Sequence, residues 1–287
     1  MLAVFRRQFK AVNFKTLTAV DFKTLTAVFL LITPSLCQAD QIQASRRTSY
    51  VAIIIDDLGH NFSRGLRAVN LPASLTYAIL PYSTHAKRLA EIVNASGKEV
   101  MVHLPMQNLG NMSIGPGGLT SNLTRLEFRL AVSTAIFRVP HASGINNHMG
   151  SFLTQQSLPM EWLMEDIKAM ELFFVDSRTT PHSVASIIAK KKNLLSSSRD
   201  IFLDNERSIY AIDKQFRKLV NLAKRRGTGI AICHPYPETL DYLEIAIPQL
   251  REEGIKIIPA SNLVALRQIY NLQLASQILG SEILGSE

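Results

Sequence analysis

Two carboxylates stand side by side at the end of an apolar run. VAIII (51–55) leads straight into Asp56 and Asp57, with Gly59 close behind. Like charges at the end of a buried strand repel and lose hydration, so they need a compensating cation or a chemical task. The same punctuation recurs along the chain. KEVMV (98–102) is followed by His103, ASGI (142–145) by Asn146, Asn147 and His148, and ELFFV (171–175) by Asp176, Ser177 and Arg178. DIFL (200–203) is followed by Asp204, and GIAIC (229–233) by His234. One polar residue after a strand is ordinary, and an aspartate pair ahead of a glycine also suits a turn with a helix cap. Carboxylates, amides and imidazoles after nearly every apolar run form a set of ligands, acids and bases. Asp and His suit a borderline divalent ion, and three protein ligands with an open position make a catalytic metal site. Such an ion would compensate one carboxylate of the pair and leave the other free as a base.

Rival chemistries have less support. No GxSxG is present, and Ser177 lies between Asp176 and Arg178 rather than on a nucleophile elbow. Cys233 and His234 are adjacent on one strand, which sends their side chains to opposite faces. His60, His85, His141 and His182 fall outside the strand ends and read as solvent-facing or capping residues.

Bringing these groups together requires a parallel sheet. Apolar runs at 51–55, 74–80, 98–102, 142–146, 171–175, 200–203, 229–233 and 254–258 alternate with amphipathic stretches such as 84–96, 161–170, 210–226 and 239–253. Continuous apolar strands alternating with helices predict a parallel sheet covered by helices. So many repeats predict a closed or nearly closed (β/α) barrel, in which all strand C-termini share one rim. An open doubly wound sheet is the alternative, but no GxGxxG follows the first strand.

The ends read differently. Residues 1–39 carry five basic residues and an apolar stretch, LTAVFLLI (25–32), then Pro34 and small residues at Cys37 and Ala39. This predicts an export signal, or an anchor if uncleaved, with the periplasm or cell envelope as destination. The apolar run is short for a membrane span, so membrane contact is expected only through this segment. It also holds half of the net charge of +8. KKK (190–192) and KRR (224–226) read as solvated helix faces, and no nucleic-acid partner is expected. Tandem repeats, NFKTLTAV/DFKTLTAV (13–28) and ILGSEILGSE (278–287), sit near the ends, where added residues are tolerated. The expected organisation is a signal at 1–39, a linker at 40–47, a barrel at 48–270 and a low-complexity tail at 271–287. Cleavage would leave Cys233 alone, and a core of this size needs no disulfide.

IIIDDLG (53–59), HLPMQ (103–107), NNHMGS (146–151), FFVDSRTT (173–180), FLDN (202–205) and CHPYPET (233–239), in this order and spacing, resemble the divergent polysaccharide deacetylases. The resemblance covers residues 48–268, nearly all of the chain beyond the signal. It implies a distorted (β/α) barrel of about seven parallel strands with a divalent metal at its mouth, zinc being the expected ion. It also implies that Asp56 is the catalytic base, that Asp57 and His103 bind the metal, and that His234 is the acid. Gln107 stands where the superfamily has a further histidine, and NNHMGS replaces an Arg-containing motif. His148, from its strand-end position, is expected to supply the missing nitrogen ligand. Asn147, Asp176, Arg178 and Asp204 are expected to orient these groups or bind sugar hydroxyls. The implied activity is metal-dependent hydrolysis of a C–N bond other than a peptide bond, or of an ester, on an envelope carbohydrate. Gln107 favours the other expectation, a barrel that binds a glycan or an envelope partner without hydrolysis.

Overall fold

The computed structural model describes residues 48–284. The expected signal (1–39) and linker (40–47) lie outside the described residues. Strands and helices alternate along the chain: β1 (Ser49–Leu58), α1 (Phe62–Val69), β2 (Thr76–Ile79), α2 (Ala86–Ala95), β3 (Glu99–Met106), α3 (Arg125–Phe137), β4 (Ala142–Met149), α4 (Ser157–Ala169), β5 (Phe173–Asp176), α5 (Ala185–Lys191), β6 (Ser196–Ser198), β7 (Ile201–Phe202), α6 (Ile209–Arg226), β8 (Thr228–Cys233), α7 (Pro237–Glu252), β9 (Ile255–Ile257) and α8 (Ala260–Leu284). Residues 271–284, expected as a low-complexity tail, continue α8.

All strand pairs are parallel, in the order β6-β5-β4-β3-β2-β1-β8-β7, with β9 against the start of β1. The two ends of this path, β6 and β7, are separated in the chain by only Arg199 and Asp200. So short a link forces the sheet to curl until its edges meet. The linking residues bridge the seam: Arg199 N donates to Asp176 O on β5, and Asp200 N to Ile230 O on β8. The result is the distorted (β/α) barrel expected from the sequence. It has nine strands among the described residues, of which β6, β7 and β9 are only two or three residues long.

Strand alternation sorts the apolar side chains into two cores. On β1, Val51, Ile53 and Ile55 face the helices and join the larger cluster. Ala52 and Ile54 face the barrel interior with Ala78, Met101, Phe173, Val175, Ile230 and Ile232, and Ala260, Leu263 and Val264 of α8 close this interior from one end. Caps delimit the outer helices. Thr124 and Glu127 form a capping box at the start of α3, and Gly227 ends α6 in the left-handed conformation. The 108–122 loop is strapped to the sheet: Leu119 N donates to Pro105 O and Gln107 N to Leu119 O.

Candidate functional site

The interior face of each strand continues by twos into polar groups. Ala52 and Ile54 lead to Asp56, Met101 to His103, and Ile230 and Ile232 to His234. On β4, Gly144 lies against the interior ring of Phe173, so Asn146 and His148 share that inward parity, and Asn146 pairs in register with His103. The site is therefore the top layer of the barrel interior. His103, Asn146 and His148 sit within strands rather than after them, because β3 and β4 run on to Met106 and Met149.

Asp57 has the wrong parity and reaches the interior by another device. The register of β1 against β2 shifts between Ile55 and Leu58. Asp57 adopts φ 57°, a left-handed conformation that Asp tolerates better than most residues. Both carboxylates then line one cavity of about 340 Å³, together with His103, His148 and His234.

Three donor atoms meet there. Asp57 Oδ1 lies 2.9 Å from His148 Nδ1 and 3.2 Å from His103 Nε2, and the two nitrogens are 3.1 Å apart. Ligand atoms held about 2.0–2.2 Å from one ion lie roughly 2.8–3.5 Å from each other. Asp57 Oδ1 is buried and receives no well-aligned hydrogen bond. One oxygen and two imidazole nitrogens fit a borderline divalent cation. Among the described residues no other trio of His, Cys, Asp or Glu side chains converges in this way.

The groups behind this trio set its protonation. Asn146 Nδ2 donates to Asp56 Oδ1 (2.7 Å), so its Oδ1 faces His103 Nδ1 (2.7 Å). That oxygen can only accept, so His103 carries a proton on Nδ1, and Nε2 is the nitrogen that faces the cavity. His234 is held from behind by Asp204, whose Oδ1 lies 3.0 Å from Nδ1, and whose Oδ2 accepts from His234 N and Thr239 Oγ1. The His234 ring is wedged between the edge-on ring of Phe202 and the stacked ring of Tyr236. Its Nε2 then points inward, 3.7 Å from Asp57 Oδ2.

Burial pushes the Asp56 carboxyl up, against the pull of His103, His234 and Asn146. Burial acts on Asp57 in the same sense, but the facing imidazoles of His103 and His148 hold it well below the usual carboxylate range. For His103, burial opposes the charge, yet Asp56 and Asp57 raise its pKa to about 9. Burial also opposes the charge on His234, and Asp204 reverses the effect and raises it.

The remaining sequence-predicted residues separate by position. Asn147 lines the cavity, but its amide serves the protein: Nδ2 donates to Met149 O and Oδ1 accepts from Ser177 N. Asp176 does not line the cavity. Like Phe174 it projects toward the helices, where it accepts from Arg178 N and Ser183 Oγ (both 2.8 Å), so sugar binding is outside its reach. Asp204 works through His234. Arg178 is exposed at the cavity lip. Gln107 turns away from the trio and accepts from Ser121 N and Oγ. His60, His85, His141 and His182 stay outside the cavity. Sequence reasoning gave no role to Asn146, Arg199, Phe202 or Tyr236. Parity would have found Asn146; the others have no signal short of the folded chain.

Comparison with known proteins adds four likenesses. The profile of a family described as divergent polysaccharide deacetylase matches residues 53–264. An uncharacterized protein of Haemophilus influenzae is 34% identical over 215 residues, 75% of this chain and 76% of its own. The uncharacterized protein YibQ of Escherichia coli is 33% identical over 219 residues, 76% of this chain and 68% of its own. Among solved structures, the uncharacterized protein ATU2773 of Agrobacterium tumefaciens C58 aligns with a TM-score of 0.73 at 22% identity, covering 76% of this chain and 89% of that one. The last likeness speaks for the fold.

Proposed function

The chain belongs to the divergent polysaccharide deacetylase family, and we propose that it is an exported, metal-dependent hydrolase that removes N- or O-acetyl groups from a carbohydrate of the cell envelope. The observation that carries this reading is the convergence of Asp57 Oδ1, His103 Nε2 and His148 Nδ1, flanked by Asp56 and His234. Asp57, His103 and His148 would hold the ion, with zinc expected from the donor set. When bound, it would supply Lewis acidity and make a nearby water more acidic.

The protein's own groups do the rest. Asp56 takes the proton of the attacking water. Its Oδ1 is occupied by Asn146, which leaves Oδ2 for this task. A carboxyl pushed up by burial is a stronger base than an ordinary one. His234 delivers a proton to the departing amine or alkoxide from Nε2, while Asp204 favours its charged form and aims it. Export is proposed from residues 1–39 alone. Binding without hydrolysis, the reading that Gln107 favoured, becomes an outcome of the test.

The test is acetate release from a panel of N- and O-acetylated envelope glycans, measured beside the metal content of the purified protein. One divalent ion per chain and acetate from at least one glycan are expected. Stoichiometric metal with no acetate from any glycan would leave glycan binding as the function.

A further inference from the structure

Among the described residues, two buried side-chain polar atoms have no hydrogen-bond partner, Asp57 Oδ1 and Ser177 Oγ. Both residues line the same cavity. The proposed ion would satisfy the first. The second sits on a different strand end, beside an unusual turn. Arg178 adopts φ 47°, a conformation costly for a residue with a long side chain. The turn is held through the backbone: Asp176 Oδ1 accepts from Arg178 N, and Arg199 donates to Ser177 O through Nε (2.7 Å) and to Arg178 O through Nη2 (3.0 Å). The Arg178 guanidinium itself makes no hydrogen bond or ion pair among the described residues.

Arg199 also lines the cavity, half-buried, with its guanidinium 4.9 Å from the centre of the Phe202 ring. No carboxylate lies within ion-pair distance of it among the described residues. Asp56, Asp176 and Asp200 act on it only from beyond ion-pair distance, so a ligand anion in direct contact would compensate a guanidinium taken partly out of water more fully. Its carbonyl contacts use Nε and Nη2 and leave Nη1 unengaged. An orphan hydroxyl and two unpaired guanidiniums thus share one wall, and planar guanidiniums match carboxylate and phosphate oxygens.

We propose that Ser177, Arg178 and Arg199 form an anion-binding subsite, so that the substrate is an acidic glycan with a carboxylate or phosphate close to the acylated position. This rests on the deacetylase reading and gives it a substrate class. Binding uses Ser177 Oγ as a donor and the free edges of both guanidiniums. Asp176 is a positioning residue: its carboxylate holds Arg178 N and Ser183 Oγ and does not line the cavity.

The test compares three acetylated oligosaccharides of equal length: an uncharged N-acetylglucosamine oligomer, one bearing a uronate, and one bearing a sugar phosphate. Binding is measured by calorimetry on chelator-treated protein, and acetate release on metal-loaded protein. A charged oligomer should bind roughly tenfold or more tightly than the neutral one, and added salt should shrink the difference. The uronate and phosphate arms identify the anion. Arg178→Gln should abolish the preference, and its backbone hydrogen bonds keep the turn intact. Arg178→Lys should restore part of it. Equal binding of all three oligomers by the wild type, or an equal loss on all three in Arg178→Gln, overturns the subsite. Acetate released equally from neutral and charged oligomers leaves deacetylation standing and removes the subsite. Arg178-dependent binding of a charged oligomer with no acetate from any does the reverse.

Discussion

At the mouth where the strands begin, the carboxylates of Glu99 and Asp200 are both engaged by the protein's own donors. Glu99 accepts from Thr76 Oγ1 and Ser261 N, and Thr76 Oγ1 in turn accepts from Ala260 N, so the start of α8 is pinned by an acid. Asp200 Oδ2 accepts from Ile230 N and from Arg267, whose other guanidinium nitrogens reach Thr228 Oγ1 and Ser197 Oγ. At the mouth where the strands end, the same barrel keeps Asp57 Oδ1 and Ser177 Oγ without partners. It also places two aspartates and three histidines around one cavity. A network closed on itself holds the fold together. A network with open valences is built to be completed from outside.

Substitution at each mouth separates the two kinds of network. At the open mouth, Asp56→Asn should lower acetate release by about 10²–10⁴-fold while metal content and melting temperature hold. His234→Ala should behave alike. At the closed mouth, Arg267→Ala should leave metal content unchanged and cost about 2 kcal/mol in denaturant unfolding, a buried-pair loss discounted for partial exposure. If Asp56→Asn strips the ion instead, the two aspartates have exchanged roles.

How far this division was legible in the sequence depended on parity. The run VAIII followed by two aspartates announces a buried strand ending in charge. The apolar runs repeat often enough to imply a barrel. The inward register, with 52, 54 and 56 on one face, was equally available, and it places Asp176 outside and Asn146 inside. Three things were out of reach. Asp57 faces inward only because the β1 register slips. β6 is three serines and carries no apolar signal. Arg199 becomes a wall of the cavity only when β6 and β7 meet across the seam. Each depends on contacts between distant segments, which local pattern does not encode.

Protonation offers a second way to sharpen the contrast. In metal-free protein the His103 pKa stands at about 9, above an unfolded value near 6.5. The sign follows: its contribution to stability is complete below about pH 6.5 and is lost as pH rises through about 9. Chelator-treated protein should therefore lose stability across that window, by at most something on the order of 3 kcal/mol. An added divalent ion takes the proton's place and should flatten the profile, because metal binding favours the neutral imidazole. A metal-free profile that is flat from pH 6.5 to 9 would contradict the pairing of His103 with the two aspartates.

A further substitution acts one step behind the ion. Asn146→Leu removes both the bond to Asp56 and the acceptor that fixes His103 with its proton on Nδ1. Metal affinity should fall about 10–100-fold, the usual effect of losing a group that orients a ligand. Isothermal titration with zinc reads this directly. Unchanged affinity would mean that His103 is held by packing alone.

The smallest expected effect is the sharpest comparison, because it sets one hydroxyl against another. Ser177 Oγ is buried, unpartnered and at the open mouth; Thr228 Oγ1 is buried, accepts from Arg267 Nε and is at the closed one. Removing an unsatisfied hydroxyl relieves a desolvation cost, so Ser177→Ala should leave the ligand-free protein as stable as before or up to about 1 kcal/mol more stable. Thr228→Val keeps the shape but strands a guanidinium N–H, and should cost about 1–2 kcal/mol. Urea unfolding of both variants at one pH and salt concentration measures the difference. Opposite signs are what an open and a closed network require. An equal loss in the two would mean that Ser177 already has its partner in solution, and that the wall it shares with Arg178 and Arg199 is structural.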